Sequence, residues 1–167
     1  RFRKTADGFA FETPAAELPV ALIGVHGCDL TGLRVLRSFH ESACRDRVVT
    51  DRLDQSFILG IGCWVPCLAE AFCRDMGSLE NEIPADLYAW DLGEVLLVKV
   101  LRPRGRAALA DVGALEAATA DELVTLRRRL RTRQEAFPAH LKFPPAKLPV
   151  ALEAAHADIL WEANAER

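Results

Sequence analysis

The sequence predicts an α+β fold, a small antiparallel sheet with several helices packed on it, in a single domain. Three observations lead there. Apolar residues alternate near the N-terminus and form one β-branched run, EVLLVKVLR at 94–102. Elsewhere they recur every third or fourth residue, as in amphipathic helices. No internal repeat, low-complexity tract or second domain boundary divides the 167 residues.

A chain of this length buries an ordinary core. Half of its residues are hydrophobic and 27% are charged, a globular balance. The net charge of −3 gives no general attraction to nucleic acid or to an anionic membrane. Gly60, Gly62, Pro66 and Glu70 interrupt the best apolar run before the ~20 residues of a membrane span. Five cysteines, an odd number without a regular framework, fit a reduced compartment, so a cytoplasmic location is expected. The chain opens on Arg1 and not Met, as a trimmed piece would.

Residues 1–13 predict a hairpin, with Phe2, Phe9 and Phe11 alternating around the turn Thr5-Ala6-Asp7-Gly8. Residues 19–25 suit a further short strand. His26 and Cys28, two apart, make half a metal site; the preferred reading is a turn whose Asp29 or Thr31 caps the next helix. That helix, 31–48, turns Leu33, Leu36, Phe39 and Ala43 inward and opens a helical middle, 31–90.

The most apolar stretch, 57–77, holds three of the five cysteines. Residues 57–64 read as a buried strand or irregular core segment. Pro66 and Gly77 suit the two ends of a three-turn helix with Leu68, Phe72, Cys73 and Met76 on its buried face. Cys67 then sits in the first turn, where the helix dipole favours thiolate, with Cys63 four residues back as a resolving or co-ligating thiol. Core packing is the preferred reading of these cysteines, because their neighbours are apolar. An iron–sulfur site calls for more cysteines at closer spacing and is set aside.

Residues 84–90 suit a short helix, and 94–102 is the clearest strand. Arg102 to Arg106 reads as a basic turn, with 107–109 returning as a partner strand. Thr119 and Glu122 form a capping box that opens a helix over 119–136. Its outer face carries Arg127, Arg128, Arg129, Arg131 and Arg133, without the interleaved aromatics that would stack on nucleic acid. A proline-rich linker leads to a last helix, 149–163. No catalytic triad, glycine-rich phosphate loop or HExxH occurs, and the four histidines lie far apart.

Leu68, Ala69 and Phe72, followed by Pro84, Leu87 and Trp90, resemble a helical module in the small partner subunits of iron-dependent peptide-modifying enzymes of the methanobactin type. The resemblance implies a non-catalytic subunit that binds a precursor (leader) peptide and an iron-dependent enzyme. It places the iron in that partner and no metal or other cofactor in this chain. Peptide or partner would meet Val95, Leu97, Lys99 and Leu101 on the strand, and Arg127, Arg128 and Arg131 on the helix. The alternative is a thiol redox or thiol-ligand protein using Cys63 and Cys67.

Overall fold

A computed structural model describes residues 2–11, 19–42, 46–141 and 144–155. The expected hairpin is present as β1 (Phe2–Thr5) and β2 (Gly8–Phe11), paired antiparallel. Gly8 makes the reversal at φ +135°, which a side chain would resist. The main sheet has four strands in the order β3-β4-β5-β6: Ala21–His26, Phe57–Ile61, Leu87–Asp91 and Leu96–Val100. β3, β4 and β5 run parallel and β6 returns antiparallel, so the α+β class holds with a mixed sheet.

Helix α1 (Gly27–Ser42) starts directly at the end of β3, four residues before the expected Thr31. Asp29 does not cap it from outside; its carboxylate accepts from His26 N at 3.4 Å, while the Thr31 hydroxyl donates back to Gly27 O at 2.8 Å. Leu30 is fully buried, whereas Leu36 and Phe39, expected inside, are exposed. The expected continuation to residue 48 is replaced by a separate helix, α2 (Arg47–Gln55), capped by Asp46 through Val48 N and Val49 N. Ala43 lies outside the described residues.

Two expected helices are absent. Residues 66–76 form turns, and Leu68, Phe72 and Met76 are exposed, so the helix dipole expected at Cys67 does not exist. Residues 84–90 run into β5, whose Leu87, Tyr88, Ala89 and Trp90 are all buried. Burial on both faces explains the misreading: alternation is lost when a strand lies between neighbours. The helical module behind the peptide-enzyme resemblance is therefore not formed.

The expected basic turn and return strand at 102–109 are one helix, α3 (Pro103–Ala110), opened by Pro103 in its first turn. Arg104 reaches back from it to the buried Asp86 at 3.1 and 3.2 Å. Helix α4 (Ala120–Ala136) has the expected capping box, with Thr119 Oγ1 accepting from Glu122 N and Glu122 Oε2 accepting from Thr119 N. Leu126 and Leu130 pack from α4 on the central cluster of Leu30, Ile58, Ala85, Tyr88 and Trp90. A 3-10 turn at Pro145–Lys147 leads into α5 (Leu148–Ala155); the rest of the expected last helix lies outside the described residues. No helix among the described residues is long and apolar enough to cross a membrane.

Candidate functional site

Because β3 and β4 are parallel, their carboxyl ends lie side by side, the place where sheets of this kind gather ligands. β3 passes into α1 at once, which puts Cys28 in the first turn beside Gly27. The Gly27 backbone packs on the Ser78 carbonyl so closely that a Cβ would not fit. Ser78 in turn donates from its N (3.0 Å) and its hydroxyl (3.2 Å) to Cys73 O. Asn81 locks the arrangement, its Nδ2 donating to Thr31 Oγ1 and to Ile83 O, both at 3.0 Å. Direct backbone contacts thus bring the segments of Cys28 and Cys73, 45 residues apart in sequence (73 minus 28), to one place.

Cys63 arrives along β4. Gly62 N donates to Ala89 O at 2.9 Å. The Trp90 indole lies against Gly62, where a Cβ would come within 2.5 Å of ring Cδ1 and 2.7 Å of Nε1. On the other side Trp64 Nε1 donates to Asp91 O at 2.6 Å, and the Arg129 guanidinium lies 5.7 Å from the centre of the Trp64 ring. Cys63 is held between two fixed neighbours.

The thiols sense each other. Burial pushes the Cys63 thiol up from its ordinary value; Cys73, Cys67 and Asp29 raise it further, and the Arg133 guanidinium opposes them. Burial likewise pushes Cys28 up first, followed by repulsion from Asp29, Cys73 and Cys63, with the Asp29 backbone N–H acting downward. Cys28, Cys63 and Cys73 thus lie close enough to influence one another's thiols, and Cys67 is exposed. All four are free thiols. Cys67 is not core, as its apolar neighbours suggested, and Cys73 is half-buried.

Among the described residues, no three His, Cys, Asp or Glu side chains form a group that could hold a metal ion. In a mononuclear thiolate site every sulfur lies ~2.3 Å from the same ion. In an iron–sulfur cluster different thiolates bind different irons, so the ligand sulfurs stand further apart.

Two buried N–H donors border the site. Arg133, expected on the outer face of α4, is instead 4% exposed and paired with Glu80. Its Nε has no hydrogen-bond partner among the described residues, and neither does Trp90 Nε1. The Arg133 charge reaches Tyr88 as well as Cys63: burial pushes the Tyr88 hydroxyl up to about 12, with Arg133 acting downward and Cys63 upward.

The residues expected to bind a peptide or partner fall on two separate elements. Leu97 pairs with Trp90 in the sheet register, and Lys99 Nζ meets Glu82 Oε2 at 2.6 Å. Val95 and Leu101 flank β6; Val95 is exposed and Leu101 packs on the core. Arg127, Arg128 and Arg131 are exposed on α4. Cys28, Cys73, Trp90 and Arg133 were not foreseen at the site. The available signal was that Cys28 and Cys63 each stand just beyond a short apolar run that became a strand.

The chain is similar to the Sulfhydrogenase 2 subunit beta of Pyrococcus furiosus, with 25% identity over 147 residues. The match takes in 87% of this chain but 43% of that protein, so the chain spans less than half of its relative's length. No family model matches the chain, and no solved structure does.

Proposed function

We propose that this chain is an electron-transfer subunit of a multi-subunit redox enzyme, in which Cys28, Cys63, Cys67 and Cys73 hold an iron–sulfur cluster. One observation carries the reading: the parallel pairing of β3 with β4 and the Gly27–Ser78 contact bring the segments of Cys28, Cys63 and Cys73 together at the carboxyl ends of two strands. The relative supports it by being the beta subunit of a sulfhydrogenase, a role carried to this chain here as membership of an enzyme complex.

Such a cluster, held by these cysteines, would supply one-electron transfer. The chain's own residues bind and position it. Gly27 and Ser78 fix Cys28 against Cys73, while Gly62 and the anchored Trp64 fix Cys63. Trp64 and Trp90 flank Cys63 and limit the access of water on those sides. This reading places iron in the chain itself, in addition to any carried by a partner.

Anaerobic reconstitution with ferrous iron and sulfide tests the proposal. The wild type is expected to take up iron and acid-labile sulfide in equal amounts, and Cys63→Ser and Cys73→Ser to lose most of both. Uptake of zinc without sulfide, or full iron in both variants, would overturn it.

A second reading keeps the partner-binding role of β6. That strand is the edge of the sheet, and Val95, Leu96 and Val100 beside its open side are exposed. An extended precursor peptide or a strand of an iron-dependent enzyme would add there, with Arg127, Arg128 and Arg131 matching acidic residues. Val98→Pro is then expected to abolish co-purification of the partner while iron uptake persists. A partner retained at wild-type levels would remove this reading.

A further inference from the structure

Helix α1 carries two apolar stripes. One turns inward, where Leu30 is fully buried and Leu33 packs on the central cluster. The other is Gly32, Val35, Leu36 and Phe39, the i, i+3, i+4, i+7 spacing of a helix-packing face. It points away from the core, with Val35 62%, Leu36 43% and Phe39 50% exposed.

Gly32 is the anomaly of this stripe. Glycine inside a helix destabilises it relative to alanine, because a more flexible backbone must be ordered. A close approach normally accounts for such a residue, as at Gly27, Gly60 and Gly62, where a Cβ would run into a neighbour. At Gly32 a Cβ would meet nothing within 4 Å among the described residues. Contacts within the chain give this glycine no use.

We propose that this face of α1 packs on the same face of a second copy of the chain, the two helices antiparallel about a two-fold axis between Val35 and Leu36. Such an axis brings together residues whose numbers sum to 71 (35 plus 36). Gly32 then faces Phe39 of the second copy (32 plus 39), and Val35 faces its Leu36. The largest side chain of the stripe meets the position without one, so the two surfaces interlock. A parallel pair would instead set Phe39 on Phe39 and Gly32 on Gly32, overpacked at one end and hollow at the other.

Charge agrees with the antiparallel arrangement, in which the same flank of each helix meets. Asp29 and His40 share one flank by the helical repeat, and their numbers sum to 69 (29 plus 40). Each Asp29 therefore lies within a turn of His40 of the second copy, an acid beside a base at both ends of the contact. Arg34, Arg37 and Glu41 fall on the opposite side of α1, where Arg37 pairs with Glu41 and Asp54. No like charges are forced together.

Sedimentation equilibrium of the full chain tests the proposal, with thermal unfolding followed on the same samples. The wild type is expected to dimerise reversibly. Gly32→Leu supplies a better helix former but clashes with Phe39 of the second copy. It is expected to weaken the dimer about tenfold or more, while the dilute monomer unfolds at a higher temperature than wild type. Adding Phe39→Ala to Gly32→Leu exchanges large for small across the contact and is expected to restore the dimer. Leu36→Asp, at an exposed position, is expected to abolish it. A wild type that stays monomeric from micromolar to millimolar concentration would overturn the proposal, even if another polypeptide is found on this face. A dimer that Gly32→Leu and Leu36→Asp leave unchanged would equally overturn it, by placing the contact elsewhere.

Discussion

The middle of the sheet and the loop that follows β4 lie a few residues apart and are built by opposite rules. In the sheet, the central buried carboxylate finds its partners within the chain, although Trp90 Nε1 of β5 has none among the described residues. The Asp86 carboxylate is fully buried, yet it accepts from Ile58 N at 2.9 Å and from Arg104 at 3.1 and 3.2 Å. Its backbone N donates to Ile58 O, and its carbonyl receives Leu101 N and Arg102 N. In the loop from Cys63 to Ile83, the second half is anchored to its surroundings, as Asp75 shows by accepting from His140 N and Leu141 N. The first half presents Val65, Leu68 and Phe72 to solvent and borders thiols and unpaired donors. The buried Asp86 is satisfied by the chain itself, while the first half of the loop leaves its apolar residues exposed.

Paired substitutions break this comparison most directly. Asp86→Ala strands the Ile58 N–H in the interior and leaves Arg104 unpaired. A buried ion pair missing one partner costs 3–5 kcal/mol, but the Arg104 side chain is 38% exposed and regains water, so about 3 kcal/mol is expected. Phe72→Ser, made at an apolar residue of the loop, is expected to cost less than about 0.5 kcal/mol. Urea unfolding of both variants in the metal-free protein checks the contrast. Similar losses would mean that the loop is packed as core and that its exposed apolar residues have been misjudged.

The same division decides what could be read from sequence. Local signals were legible: the Thr119–Glu122 capping box, the hairpin turn ending at Gly8 and the β-branched strand around Leu96–Val100 all formed as their chemistry dictates. Signals that depend on the partner surface were not. Residues 84–90 suited a short helix in sequence, but Leu87, Tyr88, Ala89 and Trp90 of β5 are all buried, so no alternation marked the strand. Pro66, Leu68, Phe72 and Gly77 matched a helix in spacing without a surface to pack on, and turns formed instead. The thiol site was half legible. Cys63 and Cys67 stood out by proximity, whereas Cys28 and Cys73 join them only through the parallel pairing of β3 with β4 and the Gly27–Ser78 contact. Arg133 was hidden among the exposed arginines of α4, since a run of like residues gives no hint of which one turns inward.

Tyr88 stands at the boundary between the two regions, and its proton provides the smaller and sharper test. Its hydroxyl is pushed from 10.0 up to about 12 by burial, with Cys63 adding to the rise and Arg133 opposing it. Below the ordinary value both folded and unfolded chains hold the proton, and the group contributes nothing to pH dependence. Between 10 and about 12 the unfolded chain releases it first, so the native state binds more protons and stability falls as pH rises. A gap of that size corresponds to roughly 2 to 3 kcal/mol over the full window. Tyr88→Phe removes this part of the slope. Cys28 and Cys63, also pushed up, act with the same sign from lower pH but are present in both proteins and cancel in the difference. The difference in unfolding free energy between wild type and variant is therefore expected to be constant below pH 10 and to change between pH 10 and about 12, the wild type losing about 2 kcal/mol more across that interval. A constant difference across that interval would show that burial does not raise the Tyr88 hydroxyl above its ordinary value.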